Sequence, residues 1–229
     1  MSLRVPKRHG DALALLLKLS PRETDALVSA LEKAPSALLP EDLAARLARD
    51  VSIISPDSVS KIVKMLASLY RVREQDLDRV PLRAFVEEVV GAAADSGHPE
   101  LKSNEQERKR FQSLLERLLS FDQSIGMTAK ALGVMQENAH LYCTGRIISD
   151  LRPVFKAEVT AGPAAAIIVH SLRITYHEAD DMKEFFVAMD SLDVEELRAL
   201  CDRALLKTNS LKQIAKKSDL PVLEVESEP

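Results

Sequence analysis

The sequence predicts an α+β protein: a helical bundle followed by a small three-stranded antiparallel sheet and a long C-terminal helix. Apolar residues recur at helical spacing through roughly the first 140 positions, alternate with polar residues between 146 and 177, and return to helical spacing after 192. We expect a helical domain at 1–142, a β-β-β-α module at 144–217 and an acidic, flexible tail at 218–229.

Composition and charge are typical of a globular protein and exclude several classes. Of the 229 residues, 46% are hydrophobic, 29% are charged and 4% are aromatic, with no Trp. Seven glycines and two cysteines exclude collagen-like and disulfide-rich chains, and no apolar stretch approaches the roughly 18 residues of a membrane span. The formal net charge of −4 is unlike the strong positive charge of general nucleic-acid binders.

Cysteine usage and the N-terminal segment indicate the compartment. Cys143 and Cys201 lie far apart in the sequence, which favours two free thiols in a reducing environment over one disulfide. Basic residues precede the apolar run 12–17, as in a secretion signal, but Lys18 interrupts that run and no small-residue cleavage site follows. We therefore expect a helix here and a cytoplasmic protein without a membrane partner.

The helix starts of the bundle are marked by capping residues and prolines. Ser20 and Glu23 form a capping box with Pro21 at the first helical position. Pro residues open the next three predicted helices, and a second capping box spans Ser103 to Gln106. We expect a further helix at 128–142. The three opening prolines are Pro40, Pro56 and Pro81.

Three strands and one helix follow. Residues 146–159 alternate between apolar and polar, and Pro153 restricts this strand to an edge or a bulge because proline lacks the donor that a ladder requires. Second and third strands are expected at 165–177 and 183–189. The last helix is expected to begin at a capping pair, Asp193 and Glu196.

This order of elements, with Asp150-Leu151-Arg152 in the first strand, resembles the COMM-domain proteins. Those proteins have a helical domain followed by three antiparallel strands and one helix, and their first strand often carries Asp-Trp-Arg. Here the Trp is replaced by Leu151, and Pro153 follows the arginine. The resemblance implies dimerisation through the C-terminal module and a scaffolding role.

The residues themselves also favour an interface. Strands two and three carry apolar residues on both faces, whereas one helix covers only one face of a sheet. The second cover is either the helical part of the same chain or a second subunit, and we expect the subunit. The candidate interface residues are Leu151, Phe155, Ile168, Leu172, Tyr176, Phe185, Phe186, Leu197 and Leu205.

Three polar groupings are weighed as chemical sites. Asp150, Arg152 and Asp190 are expected to approach His170, either as a general-base site or as a structural hydrogen-bonded group, and we favour the second. His140 and Cys143 are too few for a zinc site, and the acidic turn at 177–181 lacks the spacing of a calcium loop. We expect no catalytic residue, no metal and no cofactor.

Residues 41–73 resemble a helix-turn-helix, which is the alternative reading. The turn through 51–54 is longer than usual, and an ordinary helical hairpin explains the same pattern. We expect a non-enzymatic interaction protein that homodimerises; the alternative is a DNA-binding regulator. The candidate DNA-contacting residues are Ser58, Ser60, Lys61, Lys64, Arg71 and Arg73.

Overall fold

The computed structural model describes residues 5–75, 80–95, 101, 104–138, 140–178 and 181–225. The chain divides into two compact units. The helical unit comprises residues 1–134 together with 223–229, and the C-terminal module comprises residues 135–222. The α+β class is confirmed, and the division falls a few residues before the predicted boundary at 142.

The described part of the helical unit is built from α-helices whose starts follow the predicted signals. In the capping box, the Ser20 side chain accepts from the Glu23 backbone N–H at 3.3 Å, and the Glu23 carboxylate accepts from the Ser20 N–H at 2.8 Å. The helices are α1 (Lys7–Lys18), α2 (Pro21–Lys33), α3 (Pro40–Asp50), α4 (Pro56–Gln75), α5 (Leu82–Asp95), α6 (Glu105–Leu119) and α7 (Met127–Gln136).

Two predicted helix boundaries in this unit are wrong. Ser103 lies outside the described residues, and the capping box is formed by Asn104, whose side chain accepts from the Glu107 N–H at 2.9 Å. The helix expected at 128–142 ends at Gln136, and the chain then enters a strand at Leu141. β-branched and aromatic residues after Leu141 suit a strand, which explains the earlier end of the helix.

Helix α4 is the centre of the bundle. It packs against α1, α3 and α6, and its buried side chains cover well over half of its circumference. Leucine and valine dominate this core, as the low aromatic content predicts. The buried side chains of α4 are Val59, Ile62, Val63, Met65, Leu66, Ala67, Leu69 and Tyr70.

A π-helical turn, Asp122–Gly126, joins α6 to α7 and is held by one polar contact. The buried Tyr70 hydroxyl donates to Asp122 Oδ1 at 2.6 Å, and Lys130 Nζ lies 3.4 Å from the same oxygen. A Cβ on Gly126 would stand 2.6 Å from Asp122 Oδ1 and 2.9 Å from the Tyr70 hydroxyl oxygen. Glycine is therefore required where this turn meets α4.

The C-terminal module contains the three predicted strands in the order β1-β2-β3, all antiparallel. The first strand starts and ends earlier than predicted, and residues 159–161 form a 3₁₀ turn instead of its end. Pro153 lies on an edge strand, as expected, beside a register shift between Val154 and Phe155. The strands are β1 (Leu141–Phe155), β2 (Pro163–Glu178) and β3 (Asp181–Met189).

The last helix, α8 (Ser191–Lys217), begins earlier than the predicted capping pair. Asp190 is its N-cap and accepts from the backbone N–H groups of Leu192 and Asp193 at 2.8 and 2.9 Å. Asp193 closes the capping box by accepting from the Asp190 N–H at 2.9 Å. The predicted pair is thus wrong: Asp193 occupies the third helical position of the box, and Glu196 has no role in it.

We expect Tyr70→Phe to lower the free energy of unfolding by about 1 kcal/mol, because it removes the hydrogen bond that holds the π-helical turn to α4. Urea unfolding followed by circular dichroism measures this change. Tyr142→Phe is the matched control, since the Tyr142 ring is exposed. Equal stability of the two variants would show that the turn does not depend on Tyr70.

The same bond predicts a pH dependence. The Tyr70 hydroxyl and, to a smaller extent, Lys130 lower the pKa of Asp122. A carboxyl group with a lower pKa in the folded state contributes stability above its unfolded pKa, near 4, and loses it as the pH falls through its folded pKa. The wild-type chain should therefore lose more stability than Tyr70→Phe between neutral pH and about pH 3. The prediction would be contradicted if the free energy of unfolding fell equally with decreasing pH in both proteins.

Candidate functional site

The C-terminal module has almost no core of its own. Among its described residues, only Thr175 and Met189 are buried, and α8 contains no buried residue. In the helical unit, by contrast, most large apolar side chains are buried. The large apolar side chains of this module are therefore mostly exposed to water.

The strand register gathers most of the predicted interface residues on one side of the sheet, here called the apolar face. Leu151 pairs with Ile168, Leu172 with Val187, and Ile174 with Phe185. Directly paired residues lie on the same side of a sheet, and every second residue follows. The pairing also places Ser149 and Lys183 on this side. The apolar face comprises, together with His170, the side chains of Ile147, Leu151, Ile168, Leu172, Ile174, Tyr176, Phe185, Val187 and Met189.

The opposite face is more polar, and it carries one predicted interface residue, Phe186. Arg173 pairs with Phe186 across the strands, and its guanidinium lies 6.0 Å from the Phe186 ring centre. The Arg173 Nε also donates to Glu184 at 2.6 Å. Because charged side chains surround Phe186, we separate it from the apolar face.

Helix α8 meets the apolar face only near the start of the helix. Leu197 and Leu200 face Leu172, Val187 and Met189 across a shallow groove of about 410 Å³. Further along the helix, the predicted interface residue Leu205 is 65% exposed. The later part of the apolar stripe of α8 is therefore largely exposed.

The hairpin of β1 and β2 extends beyond β3. Strand β3 ends at Met189, which pairs with His170, so residues 163–169 of β2 pair with β1 alone. The exposed pair Leu151 and Ile168, at 70% and 58%, lies on this outer part. The predicted residue Phe155 ends β1 there and is 46% exposed.

An aromatic cluster lies near the other end of the apolar face. The rings of His140 and Tyr176 are 4.5 Å apart, and those of Tyr176 and Phe185 are 5.9 Å apart. The Tyr142 hydroxyl lies 2.9 Å from where a Cβ on Gly145 would be, so glycine allows that ring to lie over the strand. Sequence analysis missed Tyr142, which lies three residues before Gly145; an aromatic residue near a glycine of the same strand was the available signal.

A charged pair lies beside this cluster. Lys183 donates to the Glu178 carboxylate, and this contact lowers the pKa of Glu178 and raises the pKa of Lys183. Because the two exposed side chains neutralise each other, the aromatic end of the apolar face carries no net charge from this pair.

The predicted polar cluster around His170 does not form. Asp150 pairs with Val169 and Arg152 with Ile167, which places both on the face opposite His170. The residues that contact the imidazole are serines: Ser149 Oγ lies 2.8 Å from Nδ1 and Ser191 Oγ lies 3.3 Å from Nε2. The prediction was wrong by one position along β1, since adjacent strand residues point to opposite sides.

The contacts of His170 suit a structural role better than catalysis. A serine beside a histidine is the start of a nucleophilic site, but such a site also needs a group that orients the base and donors for an oxyanion. Asp190 is occupied as the N-cap of α8, and the Leu192 and Asp193 N–H groups donate to it. The two serines thus join β1, β2 and the start of α8 through His170.

The other polar groupings give no chemical site within the described residues. There, no group of three or more His, Cys, Asp or Glu side chains is placed to hold a metal ion. His140 precedes β1, and Cys143 lies at a register shift within β1, not at a helix end as expected. Of the predicted acidic turn, residues 179–180 lie outside the described part, while Glu178 and Asp181 pair across the strand ends.

The candidate DNA-binding helix is α4, and its basic side chains contact neighbouring acids. Lys61 Nζ lies 2.6 Å from Asp57 Oδ2, and Lys64 Nζ lies 3.0 Å from Glu41 Oε1. Ser58 donates its backbone N–H to the capping Ser55 hydroxyl at 3.2 Å. The other predicted residues, Ser60, Arg71 and Arg73, are half-buried.

These contacts disfavour the DNA-binding alternative. A recognition helix presents one free face to the major groove, and on α4 the exposed face carries Lys61 and Lys64, each of which contacts an acidic side chain. Acidic partners also reduce the positive potential that attracts phosphates. The ordinary helical hairpin therefore explains the region better.

No family model matches the chain, and no curated protein matches its sequence. Within the described residues, each helix is too short or too polar to cross a bilayer.

We expect the full chain to bind duplex DNA weakly and without sequence preference. Lys61→Glu with Lys64→Glu should change that weak binding less than about twofold at near-physiological salt, measured by fluorescence anisotropy of labelled DNA. The matched control is Arg22→Glu with Arg117→Glu, which changes the charge equally outside α4. A loss of affinity larger than that of the control would restore the helix-turn-helix reading.

Proposed function

We propose that this protein is a non-enzymatic interaction protein that homodimerises through its C-terminal module. The observation that carries the proposal is the exposure of the apolar face and of α8 together, in a module with only two buried residues among those described. A three-stranded sheet of this kind needs an apolar cover to be stable in water. A second copy supplies such a cover, and the layout that resembles COMM-domain proteins implies the same arrangement.

The two uncovered parts of the module are complementary. The outer hairpin presents Leu151 and Ile168 without a helix, and the later part of α8 presents leucines without a sheet. At about 1.5 Å per residue, the 27 residues of α8 extend for about 40 Å, which is more than its own sheet uses. In a two-fold dimer, the α8 stripe of each copy would cover the outer hairpin of the other.

The energetics support association. Burying one leucine or isoleucine side chain contributes about 1.5–3 kcal/mol, and a standard interface buries about 800 Å² on each partner. The apolar face and the α8 stripe together offer enough large side chains for an interface of that size. The exposed residues that would be buried include Leu151, Ile168, Phe185, Leu200, Leu205, Leu211 and Ile214.

The helical unit is then free to bind other partners, which gives the dimer a scaffolding role. We place this function in the cytoplasm, because the two cysteines are free and exposed. No chemistry is needed from the serine–histidine contacts, whose hydroxyls hold the sheet to the start of α8.

Light scattering after gel filtration tests the dimer. We expect a mass of twice 25.3 kDa for the full chain at micromolar concentration. Leu151→Asp with Ile168→Asp should raise the dimer dissociation constant by at least about 100-fold, because it places carboxylates in an apolar interface. Both side chains are exposed in the single chain, so the monomer should keep its helical content.

Ile167→Asp with Arg152→Asp is the matched control, since these residues pair at the adjacent position on the opposite face. It should leave the dimer intact. A monomeric wild-type chain at high concentration would overturn the proposal. Dissociation by the control alone would place the interface on the opposite face instead.

A further inference from the structure

We propose that the second copy binds at the open edge of β1, by antiparallel pairing of β1 with the same strand of the other copy, centred on Ile148. The inference rests on the proposed function, because it names the strand through which the two copies join. In the described sheet the strand order is β1-β2-β3, so the outer side of β1 pairs with no strand of its own chain. An unpaired strand edge is a template for a further strand.

The pairing of β1 with β2 shows which part of the edge has regular strand geometry. Register shifts interrupt that pairing just after Tyr142 and just after Val154. Pro153 lies beside the second shift, and proline cannot donate to a ladder. Bulges bend a strand away from a new neighbour. Residues 144–152 are therefore the part of the edge that suits a further strand, and their midpoint is Ile148.

The charges of this stretch are complementary to those of a second copy. Arg146 and Asp150 lie two positions on either side of Ile148, on the same face of the strand. In a two-fold antiparallel pair centred on Ile148, each Arg146 stands opposite Asp150 of the other copy, and Ile148 stands opposite itself. Opposite charges that face each other across strands stabilise a sheet, whereas like charges destabilise it.

Both charges are available for such a contact. Across β1 and β2, Arg146 pairs with a like charge, Arg173, whose guanidinium already donates to Glu184. Arg146 is exposed, and no acidic side chain among the described residues contacts it. Asp150 Oδ2 lies 3.9 Å from Arg152 Nη2, which is beyond hydrogen-bond distance, so both carboxylate oxygens are able to accept. An acid from a second copy would therefore be stabilising beside Arg146.

Charges on an edge strand commonly prevent pairing, but the arrangement on β1 favours it. A run of charges of one sign repels a second copy of the same strand in every register. Arg146 and Asp150 have opposite signs and lie four residues apart, so an antiparallel copy places each beside its opposite. The half-buried Ile148 adds an apolar contact between the two ion pairs.

The other edge of the sheet lacks this arrangement. On β3, Lys183 donates to Glu178, and Glu184 accepts from Arg173, so both charges have partners in the same chain. Lys183 and Glu184 are also adjacent, which places them on opposite faces of the strand. The edge of β1 is therefore the one that fits a second copy.

Edge pairing is compatible with burial of the apolar face. Paired residues point to the same side of a sheet, so the apolar faces of the two copies would lie side by side in one six-stranded sheet. Leu151 would stand opposite Gly145 of the other copy, over which the Tyr142 ring lies. Leu151 and Tyr142 are each 70% exposed in the single chain, and this register brings them together.

A cycle of charge reversals tests the register. Asp150→Arg should weaken the dimer at least about tenfold at low salt, because it places arginines opposite each other at two symmetric positions. Arg146→Asp should weaken it similarly by opposing two carboxylates. Arg146→Asp with Asp150→Arg restores both pairs in reverse and should return the dissociation constant to within about threefold of the wild-type value. Sedimentation velocity measures all four proteins.

A disulfide test locates the centre of the pairing. With Cys143→Ser and Cys201→Ser removing the free thiols, Ile148→Cys should give a covalent dimer on mild oxidation, because residue 148 stands opposite itself. Arg152→Cys in the same background is the matched control on the same face. Its two copies would lie about 26 Å apart, at about 3.3 Å per strand residue, so it should not cross-link. Non-reducing gel electrophoresis measures both.

The outcomes separate this inference from the proposed function. A monomeric wild-type chain overturns both. A dimer in which Ile148→Cys does not cross-link, in which neither single reversal weakens binding, or in which the double reversal does not restore it overturns the edge pairing alone. A dimer that cross-links through Ile148→Cys but survives Leu151→Asp with Ile168→Asp overturns the apolar-face interface alone.

Discussion

The C-terminal module exposes a large apolar surface and has almost no buried core, and this constraint governs its stability. Hydrophobic burial stabilises a fold only when apolar side chains leave water, and in this module nearly all of them remain exposed. Backbone hydrogen bonds between β1, β2 and β3 define the sheet, but each such bond contributes little once competition with water is counted. Under the proposed function, a second copy supplies the surface that covers these side chains.

The helical unit shows the opposite balance. Its core is continuous from α1 to α7 and surrounds α4, so its helices are stabilised within one chain. Hydrogen bonds between side chains supplement this core, as where the Tyr70 hydroxyl donates to Asp122 close to Gly126. The helical unit therefore buries its apolar side chains within one chain, whereas the C-terminal module does not.

Much of the fold was predictable from the sequence, because capping residues and periodicity act locally. Ser20 with Glu23, Pro40 and Pro56 marked helix starts correctly, and the order of three strands and a helix is confirmed. The errors arose where choices depend on tertiary contacts. Asp190 and Asn104 cap their helices, although capping pairs at neighbouring positions fit the sequence pattern equally well.

The candidate site was predictable in composition but not in register. Leu151, Ile168, Leu172 and Phe185 share one face, as alternation predicts. The polar neighbours of His170 were misassigned, because alternation along one strand does not determine which residues pair across strands. Phe186 lies on the face opposite Phe185, as alternation in the third strand predicts. The residue of β1 beside His170 is Ser149 and not its neighbour Asp150, so the imidazole contacts a hydroxyl where a carboxylate was predicted.

The exposed outer hairpin affects how newly synthesised copies of the protein are handled in a cell. If only a second copy covers the outer hairpin, the rate at which the hairpin is covered rises with the concentration of the protein. Under the proposed arrangement, newly made copies pass through a stage in which leucine-rich surface is open to chaperones and proteases. Copies that have not dimerised would be degraded. The cellular concentration of the protein would therefore control how much dimer forms.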